Sequence, residues 1–447
     1  MTPSGTVTQP TTFAFAAIQE GMNRAGVGDN GTVSIEPTTA GQLGQFERVV
    51  VTGAGAAPTV TNGMVDAWMW DQREGAWLTY GANGFAVAGD TTTVTSAGTA
   101  VALTASSATA ASRLLLTGSS TTAVNSFTLA AGVTLNTYSL HITGNTSQPT
   151  NITLGTAADS TAKIVIGSGG IITGNNNATI TPGLVFGPTG TAQAVFHVGG
   201  STLTIGDNTN PTTSGQIQAS NILKDGPGVL NLDSEQGTFS GAIALNGGSL
   251  TLNNRTASNS GASNAGGKGG TIYMNGYGTT LTLNAGSTAA GGSFNNSVYI
   301  AAGNPLVTIN VNRIGSTSGQ SQLGGNGGLP NTGNLTFGGS SGDQGQTLII
   351  GQANSQTFRV NGTTDLGPTG ECDLCHQYRH VPGGRYHRLG DLGQGRRQFP
   401  LSRGWNIERH CRHGGGNAVQ YHHRWHCPCR RQSGGARLGY RQRKYHH

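Results

Sequence analysis

The first 370 residues contain no cysteine; all five cysteines fall in the last 77. A disulfide framework is thereby excluded for most of the chain. Charge is also scarce. Only 10% of residues are Asp, Glu, Lys or Arg, against roughly 25% in typical globular proteins. Helix-forming patterns are nearly missing, and the best candidate is TFAFAAIQEGMNRAG, residues 12–26. No apolar run is long enough to span a membrane as a helix. The opening MTPSGTVTQP lacks both a basic n-region and an apolar h-region, so no signal peptide is visible.

The net charge of +6 hides a split. Residues 1–370 carry 10 Lys/Arg and 15 Asp/Glu, a net of −5, whereas residues 371–447 carry 15 and 4, a net of +11. The basic pI belongs to the tail alone. The body gives no reason to expect a nucleic-acid partner.

What the body has in abundance is glycine, 74 residues in the chain, together with Thr, Ser, Asn, Val, Leu and Ile. From about residue 92 to 362 one theme recurs: a short run alternates apolar with small polar residues, then Gly or Asn breaks it. SFTLAAGVTLNTYSLHITG (126–144), AKIVIGSGGIITG (162–174) and GTIYMNGYGTTLTLNAG (270–286) are examples. Period-two alternation puts one set of side chains on a buried face. Leu203 and Ile205 are expected to point one way, Thr202 and Thr204 the other.

One such rung cannot hold itself together. Ordering each residue costs roughly 1–2 kcal/mol of backbone entropy, and burying one Val, Leu or Ile returns roughly 1.5–3. Inward side chains must stack on those of neighbouring rungs, which describes a solenoid. The strand spacing leaves little room for crossover helices. The expected fold is all-β, a right-handed parallel β-helix, with a β-sandwich as the alternative. The expected organisation is an N-terminal part or cap over 1–91, a β-helical region over 92–370 and a tail over 371–447.

The clearest unit is ILKDGPGVLNLDSEQGTFSGAIALNGGSLTLNN, residues 222–254. Its pattern comprises Lys224, Gly226, Gly228, Leu230, Leu232, Gly237, Phe239, Gly241, Gly247, Gly248, Leu250 and Leu252. It resembles the autotransporter-associated β-strand repeat of large bacterial surface proteins. The block NGMVDAWMWDQREGAWLTYGANGFAVAG (62–89) is similar to a segment that recurs in such proteins. The resemblance implies a β-helical passenger, extracellular or displayed at the cell surface. A membrane would then be reached only through an anchor or barrel outside this sequence, and the chain would be an internal fragment of a longer one. Its ligand would be a surface glycan or protein.

Residues 371–447 break with all of this. ECDLCHQYRH (371–380) sets Cys372, Cys375 and His376 at the spacing of c-type haem attachment. Zinc binding by Cys372, Cys375, Cys411, Cys427, Cys429 or the histidines is a further reading. The tail has too little apolar content for a packed core, which points to disorder. The genetic code offers another origin. Read one base downstream, Arg codons become Gly, Ala, Val or Asp codons, and His codons become Thr or Ile codons. WNIERH (405–410) then allows Gly-Thr-Leu-Ser-Gly-Thr and GGNAV (415–419) allows Gly-Gly-Thr-Leu. These pieces follow the order of the body's repeat, with the Gly to Gly-Gly spacing of Gly241 to Gly247. We therefore read the tail as a frameshift product, expect no haem or metal cofactor, and look to the nucleotide sequence for the test.

Elsewhere candidate chemistry is thin. Trp68, Trp70, Trp77 and Tyr80 form either a sugar-stacking platform or, as expected here, a hairpin or cap packed on the solenoid end. Asp66, Asp71 and Glu74 lack calcium-loop spacing and read as surface carboxylates. Asp207, Asp225, Asp233 and Glu235 fit turns. His141 and His197 stand alone on strands. NAGGKGG (264–270) and QLGGNGGLPNTG (322–333) read as flexible outward loops. No catalytic, cofactor or metal residue is assigned. The expected function is a non-enzymatic structural or adhesive surface protein. The alternative is a β-helical polysaccharide lyase or hydrolase, which needs paired carboxylates in one groove.

Overall fold

The structure is a computed structural model. It describes residues 10–18 and 31–365, except 145–150, 156–160, 208, 211, 254–261, 264, 286–291, 303–305, 314–318, 325–332, 339–346, 353–355 and 361–362. The tail, with Cys372, Cys375 and His376, lies outside the described residues.

Alternating apolar residues build a parallel β-helix. Eleven strands stack into one all-parallel sheet, sheet I, running from Thr92–Ser96 to Thr364–Asp365. Ten stack into a second, sheet II, from Val101–Leu103 to Thr347–Gln352. Two four-stranded parallel sheets form parts of a third face. One coil runs through Ala194–Val198 in sheet I, Thr202–Ile205 in sheet II and Ile217–Gln218 on the third face. It returns to sheet I at Ile222–Asp225. Measured along sheet I, coil length varies from 21 residues (Lys224 to Leu245) to 37 (Ile300 to Phe337). The surplus is taken up between strands, so the stacked registers stay aligned.

The interior is one continuous ladder. Leu203 stacks on Leu230, Leu250, Leu281 and Ile309 in successive strands of sheet II. All five are fully buried, while Thr202 and Thr204 on the same strand face outward. Each inward residue removes its apolar surface from water only because the rungs above and below supply the cover.

The motif residues at 222–254 have specific duties. Gly226 has φ +82°, and a Cβ there would lie 2.4 Å from the Val198 carbonyl oxygen. At Gly228 the same atom would lie 1.9 Å from the Gly199 oxygen. Glycine thus lets successive corners approach within backbone contact. Phe239 is buried at the corner of the short coil. The expected outward loop at 264–270 packs against it instead: Ala265 is fully buried, and Lys268 donates its amide to the Phe239 carbonyl at 2.7 Å. Asn296 Nδ2 ties down the Gly266 and Gly270 oxygens, each at 2.9 Å. The other expected loop lies largely outside the described residues.

The N-terminal part forms β1 (Thr11–Phe15), β2 (Val33–Ile35), β3 (Glu47–Val51), β4 (Met69–Asp71), β5 (Ala76–Gly81) and β6 (Gly84–Val87). β1 pairs in parallel with β3. β2 pairs in parallel with β4, which continues antiparallel into β5 and β6. The helix considered for 12–26 is not formed where it is described: Thr11–Phe15 is a strand, because alternation in TTFAF fits pairing with Glu47–Val51.

Candidate functional site

The outward face of sheet I is where the chain departs from a plain solenoid. Its strands lose their alternation over the middle coils. Ala194–Val198 is buried at all five positions and Gly170–Thr173 at all four. One outward column runs Gly170, Val195, Leu223, Ala244 and then Tyr273, Tyr299, Thr336. A second runs Leu115, His141, Ile172, His197, Asp225. The antiparallel unit β4–β6 covers the middle of both columns. Met64, Trp70, Trp77, Leu78 and Phe85 form a second core with Ile172, Val195, Leu223 and Ala244.

The aromatic block therefore packs on the flank of the solenoid rather than at its end. Trp68 is 7% exposed, and Trp70 and Trp77 are each 1% exposed, so none offers a free stacking face. Trp77 lies over Gly170, where a Cβ would come 2.4 Å from the indole. Tyr80 is tied to β3: its hydroxyl accepts from the Val51 amide at 2.7 Å and donates to the Val51 carbonyl at 3.2 Å.

At the centre of this contact sits His197. Its ring stacks on Trp70 and meets Trp77 edge-on, with centroids 5.8 Å apart. Nε2 donates to the Ala67 carbonyl at 2.7 Å, which assigns the proton to that nitrogen and leaves Nδ1 bare. Nδ1 is 3.9 Å from Asp225 Oδ2, which accepts instead from Trp70 Nε1 at 3.1 Å. Burial drives the imidazole pKa down to about 4, against the opposing pull of the Asp225 carboxylate. The ring is neutral at physiological pH, and its chemistry is that of a buried hydrogen-bonded contact.

Next to it, Lys224 points the other way, into the solenoid. Its Nζ donates to the carbonyls of Asp225 (3.0 Å), Gly226 (2.8 Å) and Gly247 (2.9 Å). An ammonium has three N–H bonds, and three oxygens meet them. Burial lowers its pKa to about 7, with Asp225 opposing; the three acceptors favour the protonated form as well. The lysine closes the corner where two coils turn together.

The remaining acidic residues are engaged one by one. Asp71 is fully buried; Oδ1 accepts the Glu74 amide at 2.9 Å, while Oδ2 has no partner, and burial raises its pKa. Asp66 and Glu74 are exposed, and Glu74 accepts the Gly41 amide at 2.7 Å. Asp207 accepts from Thr209 and Asn210 within its own turn. Asp233 accepts from Asn253 Nδ2 at 2.8 Å, and the Glu235 carbonyl accepts from Gln216. His141 pairs with Asp90 at 3.0 Å near the edge of the covered face. Among the described residues no three His, Cys, Asp or Glu side chains gather as a metal site.

Sheet II presents a different surface. One outward column reads Ser126, Thr153, Thr179, Thr204, Asn231, Thr251, Thr282 and Asn310 across successive strands. Every member is half-buried and none titrates. Some bond along the column: Thr153 Oγ1 donates to Ser126 Oγ at 3.0 Å, and Asn231 Nδ2 to Thr204 Oγ1 at 3.3 Å. At the strand ends a second ladder forms. Asn253 donates to Asn231 at 2.7 Å, Asn284 to Asn253 at 2.7 Å and Asn312 to Asn284 at 3.1 Å. The alternation in the sequence held the signal for this face. The covered face had a fainter signal, in strands apolar on both sides. No protein-family profile, curated protein or solved structure matches this chain.

Proposed function

We propose that the chain is a non-enzymatic structural or adhesive passenger, displayed outside the cell and presenting sheet II to a surface ligand. The observation that carries the reading is the uncharged hydroxyl and amide column from Ser126 to Asn310, repeated at the strand spacing of about 4.8 Å. Side chains already bonded to one another lose little freedom on contact. Many weak, identical contacts add up when they are rigidly aligned. With no charge in the column, such adhesion would depend little on salt. The repeat at 222–254 supports the same reading through its resemblance to autotransporter-associated repeats, which also favours a bacterial surface.

The test uses beads coated with the full chain. Thr204→Lys, Thr251→Lys and Thr282→Lys together place like charges along the column without touching the core. Adhesion to cells or to an abiotic surface should fall to background while the circular dichroism spectrum stays unchanged. Wild-type beads that adhere no better than beads carrying an unrelated protein would defeat the proposal.

A further inference from the structure

The cover on sheet I stops abruptly. Along the outward column, Gly170, Val195, Leu223 and Ala244 lie beneath the N-terminal unit, and the next two positions are Tyr273 and Tyr299. Both are partly exposed, with ring centroids 5.5 Å apart and planes at 55°. Tyr299 leans towards the following coil, and its hydroxyl lies 2.0 Å from where a Cβ of residue 338 would stand; Gly338 keeps that place open.

Just past the ends of the same strands, where Asn275 follows Met274 and Ala301 follows Ile300, lies an open cavity of about 370 Å³. It is lined by Gly31, Thr32, Asn246, Asn275, Gly276 and Ala301. Its polar groups are ordered in a relay. Asn246 Nδ2 donates to Thr32 Oγ1 at 3.4 Å, and Asn275 Nδ2 donates to Asn246 Oδ1 at 3.0 Å. The far end of the relay, Asn275 Oδ1, accepts from none of the described residues.

We propose that this seam is a binding subsite for a neutral oligosaccharide, with Tyr273 and Tyr299 as the stacking surface and Asn275 as the hydrogen-bonding group. Among the described residues the lining contains no charged side chain, so an ionic ligand would be desolvated without a counter-charge. A purely apolar ligand would strip water from the amides and return nothing. A sugar ring matches both halves: its C–H face covers a phenol ring, and its hydroxyls pair with an amide. The cavity is of a size that ligand pockets commonly have, about 300–1,000 Å³. Here the inference deepens the adhesive reading and rests on it for the ligand being met outside the cell. It concerns sheet I, on a different face from the column on sheet II.

Calorimetric titration of the full chain against neutral cello-, xylo-, manno-, galacto- and chito-oligosaccharides tests it, with oligogalacturonate and an unrelated peptide as controls. At least one neutral sugar should bind. Tyr299→Ala and Asn275→Ala should each weaken it by about ten-fold or more. Tyr273→Phe, which keeps the ring, should bind as before, and so should the triple lysine variant of sheet II. In the unsubstituted chain the same sugar should shift tyrosine-ring and asparagine side-chain NMR signals, a readout that needs no variant. The proposal is overturned if no neutral sugar binds, if only the acidic sugar or the peptide binds, if binding survives both alanine changes, or if it leaves those signals unmoved. Because sugar binding and sheet II adhesion are read separately, either can fail while the other stands.

Discussion

The indole of Trp70 lies flat on the imidazole of His197, with centroids 4.5 Å apart and planes 13° from parallel. This stack joins the N-terminal unit to the second outward column of sheet I through a side chain that must stay neutral. Its pKa is about 4 in place, against 6.5 when released. On acidification the released form takes up the proton first. The stabilisation is therefore complete above about pH 6.5 and is lost as pH falls towards 4, by something on the order of 3 kcal/mol. Thermal melts between these limits should show the loss, and His197→Gln should flatten the profile. Identical slopes for both proteins would refute the assignment.

Lys224 supports a corner that no neighbouring side chain duplicates. Lys224→Met keeps the aliphatic stem and removes the donors, leaving the Asp225, Gly226 and Gly247 oxygens unpaired. The expected cost is about 3 kcal/mol. Hydrogen exchange at the Asn246 amide, which donates to the Lys224 carbonyl, reads it locally. An unchanged exchange rate there would mean that other donors replace the lysine.

Gly170 is the contact point for Trp77. Its Cβ position falls 2.4 Å from that ring, so Gly170→Val should push the N-terminal unit off sheet I at a cost of about 1–3 kcal/mol. Limited proteolysis should then cut between residues 52 and 91 much sooner, while the coils beyond 250 stay protected. Equal cleavage of the two proteins would rule out the seat described for Trp77.

Asp71 works against the fold. Burial raises its pKa, so its folded form holds a proton more tightly, and this favours folding at low pH and is lost as pH rises through the raised value. Asp71→Asn keeps an oxygen for the Glu74 amide without the buried charge. It should raise stability at pH 7 by about 1 kcal/mol. A lower melting temperature would show that the charge has a partner.

The solenoid was legible because its physics is local. Thr202 to Ile205 shows in four residues which side chains go in, and stacking follows from the weakness of a single rung. The flank was not legible, because it needs register. Trp70 meets Asp225 across 155 residues, and only counting coils of unequal length brings them together. Lys224 was read as part of a repeat pattern, but its inward direction was hidden, since lysine on a strand ordinarily faces water. TFAF invited a helix because its partner strand, Glu47–Val51, lies 36 residues further along in register, Thr11 facing Glu47. Asp225, placed in a turn from sequence, turned out to hold the Trp70 nitrogen.

The seating of Trp70 and Trp77 also fixes a timetable. These residues are made early, yet their berth is assembled from Gly170, Val195, Leu223 and Ala244, which emerge much later. A growing chain must carry its indoles uncovered until about the seventh coil is wound. The N-terminal unit thus docks only after the coils that seat it, and its closure reports that the solenoid has been wound as far as Ala244.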